Sequence, residues 1–197
     1  NATRCIARHL MDEASKESLI LTTMHGQIPA VDLGNGVTSV NMGQPELEWD
    51  KVPISKNIPT LELPIEGSPT ATGMGNPHCT FFVEDAEKIN LEEKGQKFEN
   101  HPLFPERTNV QFASISAPDK IRMRVWERGV GVTLASGSSS CATAVAANRR
   151  GLTGKEVQIE LDGGVLNISW REEGVWMTGP TMKVFAGSFS EEFLNSL

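Results

Sequence analysis

The alternation of apolar and polar positions divides the chain into a short N-terminal helix, a series of hairpin strands and one Ala-rich helix deep in the sequence. Cys5, Ile6, His9 and Leu10 recur at helical spacing, so the pattern predicts an amphipathic helix from residue 2 to about residue 14, with Asn1 as its cap. Strand character over Leu19 to Thr23 runs into His25-Gly26. Ile28, Ala30 and Leu33 then alternate with polar residues up to Gly34-Asn35-Gly36, a hairpin signal answered by a returning strand over Val37 to Met42. Pro45, Pro53, Pro59, Pro64 and Pro69 exclude a helix around residues 46 to 69 and predict a crossing segment with short edge strands, with a domain boundary near its start. Gly75-Asn76-Pro77-His78 reads as a turn leading into a buried strand at Cys79 to Val83. A polar helix over Asn90 to Glu99 turns Ile89, Leu91 and Phe98 inward.

Strands follow at Thr108 to Phe112 and Ile121 to Val125, and then a meander at Val157 to Leu161, Val165 to Trp170 and Val175 to Thr178. A last strand is expected at Val184 to Phe189. About ten strands joined mainly by hairpins, against three helices, predict an α+β fold built on antiparallel sheet rather than a doubly wound parallel one.

Between these strands, Val125 to Arg150 joins a strand to a loop of tiny residues, Ser136-Gly137-Ser138-Ser139-Ser140, and on to an Ala-rich helix that ends on Asn148-Arg149-Arg150-Gly151. Small side chains leave the first helical N–H groups accessible, which is how an anion site is built. Ala142, Ala144, Val145, Ala146 and Ala147 fit equally well a capped core helix packed against a sheet.

Charge and composition narrow the classes. A net charge of −7, with no basic run longer than Arg149-Arg150, argues against nucleic acid or an anionic membrane as partner. No stretch approaches the roughly 20 apolar residues of a membrane span, and no signal peptide is visible. Cys5, Cys79 and Cys141 form no C-x-x-C pair and fit free thiols in a reducing cytoplasm. The histidines lack metal-site spacing.

Four polar clusters sit at strand-to-turn junctions: Asn76-Pro77-His78, Arg107-Thr108-Asn109, Glu127-Arg128 and the Ser136 to Ser140 loop. Taken singly, each has a plain structural role, as turn former, backbone partner or surface ion pair. Together with Gly75 and Trp126-Glu127-Arg128-Gly129, and with the run His101-Pro102-Leu103-Phe104-Pro105-Glu106-Arg107-Thr108-Asn109-Val110 and Met177-Thr178-Gly179-Pro180, they resemble the diaminopimelate epimerase family over essentially the whole chain.

The resemblance implies a sheet or barrel wrapped around a central helix, as one complete domain (residues 46–185) plus part of a pseudo-symmetric partner (residues 1–45 with 186–197). It also implies conversion of LL- to meso-diaminopimelate without pyridoxal phosphate or metal, by two cysteines acting on opposite faces of the α-carbon. That arrangement is chemically apt, because inversion needs an acid and a base on opposite sides and a thiol serves as either near neutral pH. By the family pattern Asn1, Asn76, Asn109, Glu127 and Arg128 would bind substrate. His78 and Glu127 would lie beside the catalytic thiols, and Gly137 and Ser138 would hold the reacting carboxylate on the helix N-terminus.

Two departures stand out. The first catalytic cysteine belongs to a C-G-N-x-x-R-C motif, and this sequence opens at the Asn of that motif. The second belongs to A-C-G-x-x-x-C, where Ser136 takes its place; Cys5 and Cys141 match non-catalytic cysteines of the two motifs. Serine is a poor base without an adjacent activator, and none is evident along the sequence. Little or no epimerase activity is therefore expected of the chain. Two alternatives remain open: a proline or hydroxyproline epimerase, or a dehydratase, on the same scaffold, and a non-catalytic amino-acid-binding homologue. A homodimer is the candidate assembly.

Overall fold

The computed structural model describes residues 2–23 and 26–196. The expected cap Asn1 and the turn residue His25 lie outside the described residues.

Helix α1 (Ala2–Ala14) is followed by strands β1 (Ser18–Thr23), β2 (Gly26–Asp32) and β3 (Val37–Asn41). After a long irregular segment come β4 (Thr70–Gly73), β5 (Pro77–Phe82), a 3-10 turn (Ala86–Lys88), α2 (Leu91–Glu99), β6 (Asn109–Ala117), β7 (Lys120–Glu127) and β8 (Gly131–Thr133). Then α3 (Gly137–Arg149), β9 (Glu156–Leu161), β10 (Gly164–Arg171), β11 (Gly174–Pro180) and the single-turn α4 (Glu191–Leu194) complete the chain.

All eleven strands join one sheet in the order β1-β2-β3-β11-β10-β9-β7-β6-β5-β4, with β8 pairing to the second half of β7. The α+β reading holds. The sheet curls around α3, which touches β4, β5 and β6 on one arm and β9, β10 and β11 on the other, yet it stays open because β1 and β4 end it unpaired with each other. Hairpins account for most pairings, but β5·β6 and β7·β9 are parallel. The first of these crosses over through α2, as parallel neighbours require.

Helix α3 is possible at the centre because its buried run, Ser139 to Ala147, contains nothing larger than valine. Its core also takes in Met123, Ile121, Ile159, Ile168 and Met177 from the sheet and Ala7 and Met11 from α1. A second core lies on the far side of β5 and β6, where Phe81 stands between Phe98 (4.4 Å between ring centres) and Phe112 (5.0 Å), beneath Val52, Ile54 and Leu63.

Three local expectations are corrected. The buried face of α1 is Arg4, Ala7 and Met11, while Cys5, Ile6, His9 and Leu10 face outward; Ala7 and Met11 join the core where the helix lies against β2 and β3. The proline-rich segment makes only an isolated bridge, Glu46 to Gly73, instead of edge strands; each proline lacks the N–H that a ladder needs. Val184 to Phe189 forms no strand. It lies in extended coil with Val184 and Phe185 over 80% exposed, since no neighbouring strand offers it a ladder.

Candidate active site

The end of β7 carries Trp126 and Glu127 into a tight turn closed by Val130 N–H donating to Glu127 O at 3.0 Å. Gly129 and Gly131 both take positive φ there, which explains the glycines at these positions. After β8 the chain reaches Ser136, the N-cap of α3. Ser136 does not cap its helix through its side chain. Its hydroxyl instead donates to Glu127 Oε2 at 3.0 Å, while Thr133 Oγ1 donates to Glu127 Oε1 at 2.6 Å. Both carboxylate oxygens are thus held by hydroxyls. The first amides of α3, at Gly137 and Ser138, belong to the turn in which helical N–H groups have no intrahelical acceptor. Ser136, scarcely exposed, therefore has a carboxylate on one side and an anion-friendly helix end on the other.

A second group lies beside it. Asn109, the first residue of β6, donates through Nδ2 to Pro77 O at 2.9 Å and accepts the Arg128 backbone N–H on Oδ1 at 3.0 Å, stitching the start of β5 to the β7 turn. Arg128 donates to Glu106 O at 3.1 Å. Asn76, Gly75, Pro77 and Arg128 line a cleft of about 290 Å³ together with Glu46, Lys51 and Glu106.

His78 lies a layer deeper and is fully buried. Its Nε2 meets Asn76 Oδ1 at 2.8 Å, and its Nδ1 faces Gln111 Nε2 at 3.1 Å and Ser139 Oγ at 3.4 Å. Burial, with Arg128 nearby, pushes this imidazole down to about 3, so it is neutral at physiological pH. The structure thus brings Glu127 against Ser136, Asn76 together with Arg128, and Gly137 and Ser138 to the open helix end; His78 bonds to Asn76, Gln111 and Ser139. Asn1 lies outside the described residues. Among those residues, no group of three His, Cys, Asp or Glu side chains is placed to hold a metal ion, and no helix is long and apolar enough to cross a membrane.

Gln111, Thr133 and Glu99 are not singled out by the sequence, and Ser139 only as part of the Ser136 to Ser140 loop. Gln111 is a polar side chain between Val110 and Phe112 in a strand that the structure buries, and a buried polar group needs partners. Glu99 is the last polar residue of a polar helix. Its carboxylate accepts from Trp126 Nε1 (2.6 Å), Gly129 N–H (2.8 Å) and Arg107 Nη1 (3.1 Å), so α2 anchors the turn that presents Glu127 and Arg128. Gly95, one turn earlier in α2, lets Trp126 lie directly on the helix.

An open sheet curled round a small-residue helix is a fold shared with solved structures of a predicted epimerase and a probable proline racemase. A predicted epimerase from Pseudomonas aeruginosa superimposes with a TM-score of 0.64 at 14% identity, over 90% of this chain and 69% of that one. A probable proline racemase from Agrobacterium radiobacter K84 gives 0.66 at 14% identity, over 96% and 66%. Sequence narrows the class further. A model of the diaminopimelate epimerase family matches residues 70–184. Diaminopimelate epimerases from Acidiphilium cryptum and Rhodospirillum centenum are each 46% identical over 98% of this chain, which spans 72% and 68% of their respective lengths. The chain belongs to the diaminopimelate epimerase family, a family of amino-acid isomerases.

Proposed function

We propose that the chain binds diaminopimelate with the reacting α-carboxylate on the N-terminus of α3, at Gly137 and Ser138, and with the α-carbon facing Ser136. The distal end of the substrate lies in the cleft lined by Asn76 and Arg128, which Asn109 holds in place from beneath. Residues 46–185 form the lobe that carries this half of the site, and residues 1–45 with 186–197 belong to the partner lobe. Acid and base are side chains rather than pyridoxal phosphate. Three free thiols fit a reducing cytoplasm.

The observation that carries this reading is the Ser136 to Glu127 contact at 3.0 Å beside an open helix end. A thiol in place of the Ser136 hydroxyl would keep Glu127 as its proton partner, and the carboxylate at the helix end would position the α-C–H in front of it. With serine there, the group facing the α-carbon is too weak an acid to furnish a useful base, even with Glu127 as the activator the structure supplies. Proton transfer at this face is therefore lost while binding is kept.

The test is α-proton exchange from diaminopimelate in deuterated water, followed by proton NMR, for the chain and for Ser136→Cys. Because a positioned acid or base contributes about 10²–10⁴-fold, the thiol variant should exchange at least about 100-fold faster. Equal exchange by the two proteins refutes the assignment of Ser136. Faster exchange of proline or hydroxyproline than of diaminopimelate by the thiol variant refutes the substrate.

A further inference from the structure

The network beneath the cleft contains a group that no step above uses. We propose that Gln111 is a positioning residue: it fixes His78 as the Nε2–H tautomer, and His78 in turn fixes the Asn76 side chain with its carbonyl turned inward and its amino group offered to the cleft. The proposal rests on the reading of that cleft as a substrate site.

The hydrogen bonds run outward from the sheet. Parallel pairing of β5 with β6 sets Thr80 opposite Gln111 and His78 opposite Asn109. Thr80 Oγ1 donates to Gln111 Oε1 at 3.1 Å, so the Gln111 amide oxygen points at Thr80. Its Nε2 then donates to Ser139 Oγ at 3.0 Å and to His78 Nδ1 at 3.1 Å. An imidazole that accepts on Nδ1 and is neutral carries its one proton on Nε2. That proton goes to Asn76 Oδ1 at 2.8 Å. With its oxygen engaged, Asn76 keeps only Nδ2, a donor, for the cleft, and no hydrogen bond among the described residues uses that nitrogen. Gln111 and His78 are both fully buried, so no water competes for these bonds. The result is a one-way chain of donors from Thr80 to the cleft, suited to receiving a carboxylate rather than an ammonium group. A carboxylate at residue 111 would reverse it: an acceptor facing Nδ1 draws the ring proton there and frees Nε2 to accept, which turns the Asn76 amide around.

The chain labelled with ¹⁵N tests this by long-range proton–nitrogen correlation of the imidazoles, with His78 assigned by comparison with His78→Gln. The expected result for the unaltered protein is a neutral Nε2–H tautomer at pH 7. Gln111→Glu, which matches the original in shape, should move the ring proton to Nδ1 or protonate both nitrogens. It should also weaken diaminopimelate binding, read by calorimetry, by about tenfold or more, as expected for one hydrogen bond to a charged group. Ser139→Ala, which leaves Gln111 in place, should keep the tautomer. An Nδ1–H tautomer in the unaltered protein overturns the proposal without any variant having to fold, and so does a tautomer indifferent to Gln111→Glu. A tautomer that switches as expected in a chain that binds no diaminopimelate would uphold the relay and refute the substrate reading instead.

Discussion

Replacing Glu99 with alanine would remove the acceptor shared by Trp126 Nε1, Gly129 N–H and Arg107 Nη1. The three donors are not equal. The Arg107 side chain is 53% exposed and recovers water, so its loss costs about 0–1 kcal/mol. The half-buried Trp126 indole lies against α2, where stranding a donor costs about 1–3 kcal/mol, whereas Gly129 is exposed and its amide regains water at a cost of about 0–1 kcal/mol. The expected destabilisation therefore lies between about 1 and 5 kcal/mol, centred near about 3 kcal/mol, a large part of the 5–15 kcal/mol typical of a folded domain. In urea, with a slope of about 2 kcal/mol per molar, the midpoint should fall by about 1.5 M. Glu99→Gln retains one acceptor oxygen and should fall roughly half as far. Glu62→Ala, which removes an exposed partner of Arg150, should cost under about 1 kcal/mol. If Glu99→Ala unfolds within about 1 kcal/mol of the Glu62 variant, the reasoning that α2 holds the β7 turn through this carboxylate is wrong.

Gly95→Ala would put a methyl group 2.5 Å from Trp126 Cγ, and should cost about 1–3 kcal/mol despite the helix propensity alanine gains. Gly154→Ala, with nothing within 4 Å, should be neutral; thermal melts of the two compare them. Because His78 is neutral in the fold down to about 3 while an unfolded histidine protonates near 6.5, the unfolded chain binds the extra proton between those values. Stability from His78 is complete above about pH 6.5 and is lost as pH falls, at up to about 1.4 kcal/mol per pH unit, so His78→Gln should flatten the profile between pH 5 and about 6.5. Burial also pushes the Cys79 and Cys141 thiols up, Cys141 to about 12, whereas Cys5 is exposed. A colorimetric thiol reagent should titrate one cysteine in the native protein and three in denaturant.

The contact between Glu127 and Ser136 is a local one, whereas roles for Asn76, His78 and Asn109 rest on the family resemblance. Glu127 and Ser136 are joined by a nine-residue excursion through β8, and the glycines that shape the turn at Gly129 and Gly131 are plain in the chain. The start of the helix near Asn90 and the hairpin at Gly34-Asn35-Gly36 are legible for the same reason, each being set by neighbours within a few residues. Parallel pairing is different. Nothing in the alternation of Pro77 to Phe82 names Asn109 to Ala113 as its partner, and that pairing is what creates the Thr80, Gln111 and His78 relay. The inward face of α1 misled because its buried stripe includes a charged residue, Arg4, and a small one, Ala7, while larger apolar side chains at Ile6 and Leu10 point away. Hydrophobicity ranks residues by transfer energy, whereas close approach of a helix to a sheet ranks them by size.

That ranking by size bears most on α3. Its nine successive buried positions hold only serine, cysteine, alanine, threonine and valine, and strands close on it from both arms of the sheet. A residue there is constrained chiefly in girth, and at Ser139, Ser140 and Thr143 also by the partner its hydroxyl holds. Under random mutagenesis with selection for folding, substitutions within this set should pass freely, while leucine at Ala144 should be purged for the roughly 1–3 kcal/mol of overpacking it brings. Over long divergence such a helix can replace nearly every letter and remain the same axle for the sheet that turns around it.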